Sequence, residues 1–163
     1  MTDSKPLSKT PLPIAKWIPI AMLSIALLGF ADATYLSIEH LRGAVPNCTL
    51  LEGCDVVTTS AYSEIFGIPV ALGGSFYYLT IFLLLAGFLD TKKETLLHIA
   101  SMLTPLGFLF SAWFVYVQLI ILEAICIYCM GSAISSTLLF LLGMMILKKT
   151  KATPKTVLNT IIL

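Results

Sequence analysis

Three long stretches without a charged residue constrain what this chain can fold into. They cover residues 65–89, 95–122 and 124–147, which are 25, 28 and 24 residues long. A helix needs about 20 predominantly apolar residues to cross the roughly 30 Å hydrocarbon core of a bilayer. Each stretch is therefore long enough to form a transmembrane helix. A fourth apolar run begins at Trp17, is interrupted by Asp32 and resumes at Tyr35.

The composition of the chain agrees with a membrane protein. Its 163 residues are 58% hydrophobic and only 12% charged, whereas soluble domains carry about 25% charged residues. The net charge of +1 gives no indication of a polyanionic partner. These values exclude a soluble secreted protein, a disordered segment and a nucleic-acid-binding protein. We predict an all-α integral membrane protein, a four-transmembrane-helix bundle with an outward loop between helices 1 and 2.

The first apolar run has an alternative interpretation as a signal peptide. Lys16 precedes it, and Ala31-Asp32-Ala33 is similar to an A-x-A cleavage site. A long leader before the run and apolar residues beyond the site favour a retained helix. We expect the chain to reverse near Gln118–Ile125, where Glu123 is the marker. The predicted segments are a cytoplasmic tail (1–13), a membrane domain (14–150) with spans at 15–38, 68–89, 95–118 and 124–147 and an outward loop at 39–67, and a second cytoplasmic tail (151–163).

The basic residues predict how the bundle is oriented. With four spans both termini lie on one side, and nine of the ten basic residues fall on that side, Arg42 being the exception. Because basic loops stay in the cytoplasm, we expect both termini and the Asp90–Glu94 turn to be cytoplasmic. All four cysteines then lie on the outward side.

These cysteines form two pairs, Cys48 with Cys54 and Cys126 with Cys129. Positions i and i+3 share a helix face, and the helix dipole at the start of the last span favours a thiolate, the reactive form of cysteine. Two such pairs on one face predict a thiol–disulfide relay, in which each step passes through a mixed disulfide. Structural disulfides and, with less suitable spacing, a zinc site are the alternatives.

The combined motifs resemble the vitamin K epoxide reductase family, and more closely its bacterial members that form protein disulfides. The resemblance rests on the C-x5-C of Cys48 and Cys54, the following Thr59-Ser60, the Phe66-Gly67-Ile68-Pro69 segment and the C-x-x-C at Cys126. It covers about residues 15–147. Many bacterial relatives carry a fused thioredoxin-like domain, and we expect this chain to lack one.

The resemblance implies a role for each cysteine. Cys126 and Cys129 are expected to be the active-site pair, with Cys129 nearest a membrane quinone, either ubiquinone or menaquinone. Cys48 and Cys54 are expected to exchange with a periplasmic thioredoxin-fold partner and with Cys126, and which of the two meets Cys126 is left open.

The expected quinone contacts are Ser60 and Phe66, and Tyr128 is added because it lies between the two active-site cysteines. A tyrosine of the vertebrate motif is replaced here by Ala133, which argues against vitamin K epoxide as substrate. We therefore predict a bacterial inner-membrane, quinone-dependent, disulfide-forming oxidoreductase. The alternatives are a reductase that recycles a quinone or its epoxide, and a non-enzymatic membrane protein with structural disulfides.

Two further residues have both a functional and an ordinary interpretation. His40 is a candidate proton acceptor for the quinol, although a solvated histidine at the interface is the simpler interpretation. Asp32 is an intramembrane acid, a type that is functional by default, but its place near the interface fits a solvated or structural role equally well.

Overall fold

A computed structural model describes residues 17–44 and 53–150 of the chain. Within those residues, four helices are long and apolar enough to cross a membrane, which confirms the predicted all-α four-helix bundle. The elements in chain order are α1 (Trp17–Leu41), the short α2 (Cys54–Thr59), β1 (Glu64–Ile65), β2 (Ile68–Pro69), α3 (Val70–Thr91), α4 (Glu94–Tyr116), a π-helical turn (Val117–Ile121) and α5 (Ile127–Thr150).

The four long helices bury little of their apolar surface against one another. The share of the most apolar window that is buried is 33% in α1 and 22% in each of the other three spans. A helix that is apolar all round needs an apolar environment on every side. The remaining apolar side chains must therefore face lipid, as expected for a bundle in a bilayer.

The helices pack in a defined order around one core. Helix α1 lies against α3 and α5, and α4 lies against α5 and α3. Close approach depends on glycine where an aromatic ring of α3 meets a neighbouring helix. A Cβ on Gly29 would lie 2.5 Å from the ring of Tyr78, and one on Gly107 would lie 2.3 Å from the ring of Tyr77. Small residues at such contacts let membrane helices approach closely.

The reversal between the third and fourth spans uses no glycine or proline. The third span continues from α4 through the π-helical turn, and the chain turns at residues 122–126 before α5 begins. Glu123 adopts a positive φ of 49° there, and the amide of Ala124 donates to the carbonyl of Gln118 at 3.1 Å. The reversal thus falls in the region that the sequence predicts, although by a conformation unusual for glutamate.

The segment before α3 folds over the end of the bundle that holds the described cysteines, which we call the cysteine end. The two strands pair antiparallel, with Glu64 opposite Pro69 and Ile65 opposite Ile68. Their two-residue turn consists of Phe66 and Gly67, which have φ angles of 54° and 74°. Two consecutive positive φ angles are the signature of a type I′ hairpin turn. The turn leaves the Phe66 side chain fully exposed.

Candidate active site

The C-x-x-C pair lies where α5 begins. The carbonyl of Cys126 accepts a hydrogen bond from the amide of Met130 at 3.0 Å, so Cys126 occupies the position immediately before the first turn of the helix. Cys129 lies within that turn. Both residues are free thiols, and the Cys129 thiol donates a hydrogen bond to the Cys126 sulfur.

This position favours the ionised form of Cys126. Its pKa is lowered to about 7, and the largest cause is the hydrogen bond donated by the Cys129 thiol. The backbone amides of Cys129 and Tyr128 act in the same direction, whereas burial and the charge of Asp32 oppose them. A helix N-terminus with N–H groups directed at the sulfur and a thiol donor therefore make Cys126 the more readily ionised cysteine of the pair.

Gln118 holds the backbone of Cys126 in place. Its side-chain Oε1 accepts a hydrogen bond from the Cys126 amide at 2.9 Å, and only 1% of the residue is exposed. The sequence pattern indicates Gln118 only as the start of the reversal and does not predict this role. The available signal was a long amide side chain inside a 28-residue uncharged stretch, eight residues before the C-x-x-C motif. A buried amide in such a stretch needs a partner.

Cys54 lies beside Cys126 in a cluster that is separate from the main hydrophobic core of the long helices. Cys54, Val57 and Cys126 form one buried cluster, with Cys54 1% and Cys126 0% exposed. Gly53 makes this proximity achievable, because a Cβ there would lie 2.7 Å from the backbone nitrogen of Ile125. Two cysteines from distant parts of the sequence thus come together through backbone contact between the residues that precede them.

The structure describes only one cysteine of the outward pair. Cys54 is disulfide-bonded, whereas Cys48 lies outside the described residues. The active-site thiols are therefore reduced while Cys54 is oxidised, and this combination is one stage of the relay predicted from the sequence.

A cavity of about 540 Å³ opens beside the C-x-x-C motif. Cys129 lines it, but Cys126 does not. Its wall is mostly apolar and is formed by residues of α1, α3, α4, α5 and the segment between α2 and α3. Pockets of about 300–1,000 Å³ with apolar walls and a few polar groups are typical small-molecule sites. An apolar, flat quinone head group fits both the size and the wall chemistry.

The predicted contact residues fall in two groups. Ser60 and Phe66 line the cavity, but Tyr128 is not among the lining residues. The Ser60 hydroxyl donates to the carbonyl of Val57 at 2.8 Å, which fixes its direction. The ring of Tyr128 instead packs on Tyr35, with 5.2 Å between the ring centroids. Tyr128 and Cys129 are adjacent on α5 and point about 100° apart around its axis, so the Tyr128 ring meets α1 while Cys129 lines the cavity.

Two further observations concern Asp32 and the alternative of a metal site. One carboxylate oxygen of Asp32, Oδ2, is buried and has no hydrogen-bond partner among the described residues. Within residues 17–44 and 53–150, no three histidine, cysteine or acidic side chains are grouped closely enough to hold a metal ion.

Comparison with models of protein families identifies the family to which the chain is similar. The model of the vitamin K epoxide reductase family matches residues 20–144, a range that includes every cysteine, the cavity-lining helices and the reversal before α5. No curated protein sequence matches the chain.

Proposed function

Because the chain belongs to the vitamin K epoxide reductase family, a family of membrane oxidoreductases of the quinone and disulfide type, we propose that it forms protein disulfides at the expense of a membrane quinone. Electrons pass from a partner dithiol to Cys48 and Cys54, then to Cys126 and Cys129, and finally to the quinone.

The observation that carries this proposal is that the two cysteines of the C-x-x-C pair have different neighbours. Cys126 is buried against Cys54, whereas Cys129 lines the cavity. A dithiol that has one sulfur beside Cys54 and the other at the cavity connects a thiol-exchange site with a site for an apolar electron acceptor. The contact supports the choice of Cys54, rather than Cys48, as the residue that exchanges with Cys126.

The exchange steps balance without any further reactant. The partner dithiol reduces the Cys48–Cys54 disulfide through a mixed disulfide and leaves as a disulfide itself. The Cys54 thiolate then attacks the Cys126 sulfur of the oxidised active-site pair, which releases Cys129. Attack of Cys48 on Cys54 frees Cys126, and two electrons and two protons have then moved to the active-site pair.

The residues around the cavity define how a quinone would be held. The ring would lie against Cys129 and between the apolar side chains of α3 and α4, with Ser60 and Phe66 at the wall nearest the α2–α3 segment. When bound, the quinone supplies the oxidising power for the active-site pair. The protein residues exclude water from the reacting sulfur and hold Cys129 beside the ring.

We assign the cysteine end to the periplasmic side of a bacterial inner membrane. Nine of the ten basic residues lie beyond the opposite ends of the spans, the arrangement that keeps those ends in the cytoplasm. The partner is then a periplasmic protein of the thioredoxin type, in keeping with the family's general use of such partners.

Serine substitutions test the electron path. With purified reduced protein and a soluble short-chain quinone, Cys129→Ser should abolish quinol formation. In the double variant Cys48→Ser, Cys129→Ser, a Cys54–Cys126 mixed disulfide should accumulate, as identified by mass spectrometry of non-reduced peptides. The matched control is Cys48→Ser, Cys126→Ser, which cannot form it. Quinol formation by Cys129→Ser at the unsubstituted rate would refute the proposed function.

A further inference from the structure

A second pair of titratable groups lies at the rim of the cavity, apart from the thiols. His40 is in the last turn of α1, and its Nε2 is 2.8 Å from Oε1 of Glu64 on β1. The side chains are 20% and 48% exposed, respectively, and His40 lines the same cavity as Cys129. The imidazole therefore lies between an exposed carboxylate and the interior of the cavity.

The helix register places His40 close to Cys129 along the bundle axis. Tyr35 is level with the start of α5, because its ring packs on Tyr128. Leu36 follows Tyr35 and lines the cavity, as does His40 four residues later. Residues four apart on a helix share a face and are separated by about 6 Å along the axis. His40 lies five residues beyond Tyr35 and Cys129 one residue farther into the bundle, so the two are about 9 Å apart along the axis. A quinone ring bound beside Cys129 would lie between them.

The proton balance of quinone reduction requires a donor. Conversion of a quinone to a quinol takes up two electrons and two protons. Two neutral thiols supply both protons, but a thiolate–thiol pair supplies only one. Because the pKa of Cys126 is lowered to about 7, part of the reduced enzyme carries the thiolate near neutral pH. For that form, one further proton must reach the quinone from elsewhere.

We propose that His40, paired with Glu64, donates this second proton; the inference rests on the proposed function above. The Cys126–Cys129 disulfide forms from the thiolate and the thiol, and their two electrons pass to the quinone. The Cys129 thiol proton goes to one quinone oxygen, and the His40 N–H proton goes to the other. The neutral imidazole then regains a proton from the aqueous phase, where Glu64 is exposed.

The other groups around His40 are less suited to this role. The hydroxyl of Tyr78 is already committed to the carbonyl of Ser132 at 2.7 Å, and phenols release a proton far less readily than an imidazolium. Imidazole is the side chain that ordinarily exchanges protons near neutral pH. Among the described residues, the charged or titratable groups that neighbour His40 in the chain, bond to it or line the same cavity are Glu39 on α1, Arg42 directly after it, Tyr62 and Glu64 in the segment before α3, Tyr77 and Tyr78 on α3, and Cys129 on α5.

Single-turnover kinetics test the proposal with the full chain in detergent and a short-chain quinone as the probe. The rate of quinol formation should depend on pH, because only the form that carries the Cys126 thiolate needs a proton from His40. His40→Asn should slow this step about 100-fold or more at pH values where Cys126 is ionised, and should thereby change the pH profile. Added imidazole should restore part of the rate to His40→Ala.

Two further measurements separate proton donation from a structural role. Quinone affinity, read from quenching of protein fluorescence, and the midpoint of Cys126 alkylation against pH should be the same in His40→Asn as in the unsubstituted protein. Glu64→Gln, which keeps His40 and a hydrogen-bonding partner, should give an intermediate rate. Glu39→Gln, on the neighbouring residue outside the cavity wall, is the matched control and should leave the rate unchanged.

The results distinguish failure of this inference from failure of the proposed function. An unchanged rate and pH profile in His40→Asn would overturn the inference, as would a loss of quinone affinity that accounts for the whole decrease in rate. If His40→Asn does not fold, a Glu64→Gln protein with an unchanged rate and pH profile would overturn it instead. Absence of quinol formation by the unsubstituted protein would refute the proposed function itself.

Discussion

Individual hydrogen bonds decide the reactivity of Cys126. The largest cause of its lowered pKa is the thiol of Cys129, so Cys129→Ala should raise the pKa from about 7 toward the ordinary value of 9. Since the thiolate forms only as pH rises through the pKa, the midpoint of iodoacetamide alkylation at Cys126 should move to higher pH. Mass spectrometry of the Cys126 peptide across a pH series measures that midpoint.

The matched variant for this prediction is Cys129→Ser, which keeps a hydroxyl donor. Its midpoint should lie between those of the unsubstituted protein and Cys129→Ala. The midpoint is more informative than the rate at one pH, because a thiolate of higher pKa is intrinsically more nucleophilic. An unchanged midpoint near pH 7 in Cys129→Ala would show that the helix N-terminus, rather than the thiol, sets the pKa.

At the same scale, the sequence is more informative about the cysteines than about the hydrogen bonds and ring contacts around them. The C-x-x-C spacing predicts a reactive pair, because cysteine chemistry depends on a few local groups. It does not predict that Gln118 accepts from the Cys126 amide, since that contact requires the reversal to bring residues eight apart together. Nor does it predict that Tyr128 turns toward Tyr35, because which face of α5 meets α1 depends on helix packing.

Among the elements, the contact between the start of α2 and the turn before α5 matters most for function. Gly53 lies against the backbone of Ile125, where a Cβ would be 2.7 Å from the nitrogen and 2.9 Å from the oxygen. Backbone atoms cannot rotate away as a side chain would, so Gly53→Ala should displace α2 and move Cys54 from Cys126. We expect yield of the trapped Cys54–Cys126 disulfide to fall several-fold in the background of Cys48→Ser and Cys129→Ser.

Gly131 provides the matched control on α5. A Cβ there meets no atom within 4 Å, so Gly131→Ala should give the same yield as the parent double variant. Thermal unfolding in detergent should also be closer to the parent for Gly131→Ala than for Gly53→Ala. Equal yields for the two alanine variants would mean that the Gly53 contact does not hold Cys54 in place.

The long helices were predictable as elements, whereas the connections between them were only partly so. Uncharged runs of membrane-spanning length specify a helix because the bilayer leaves backbone groups no other partner. The turns at Phe66 and Glu123 instead place non-glycine residues at positive φ. Sequence propensity disfavours that conformation. The turn at Phe66 is accompanied by the pairing of β1 with β2, and the turn at Glu123 by the hydrogen bond from Ala124 to Gln118, and neither interaction is evident from propensity.

The whole molecule joins two environments through one end of its bundle. The helices expose apolar side chains to lipid, while the cysteine end brings together the thiol cluster, the hairpin and the cavity. An apolar electron acceptor can reach Cys129 from the membrane side, and an aqueous protein can approach the segment before α3. The proposed function requires the cysteine end to face the compartment in which disulfides form.

The orientation of the bundle gives the prediction at this scale. In a cysteine-free background, Ala61→Cys reports on the cysteine end and Thr91→Cys on the opposite end, and both parent residues are exposed. Because the basic residues cluster beyond the opposite end, that end should remain in the cytoplasm. In intact spheroplasts, a membrane-impermeant maleimide should label the Ala61→Cys protein. It should label the Thr91→Cys protein only after permeabilisation.

Labelling of both proteins after permeabilisation is the control for accessibility. The reverse pattern in intact spheroplasts would contradict the orientation and place the thiols in the reducing cytoplasm, where a disulfide-forming role would not be sustained.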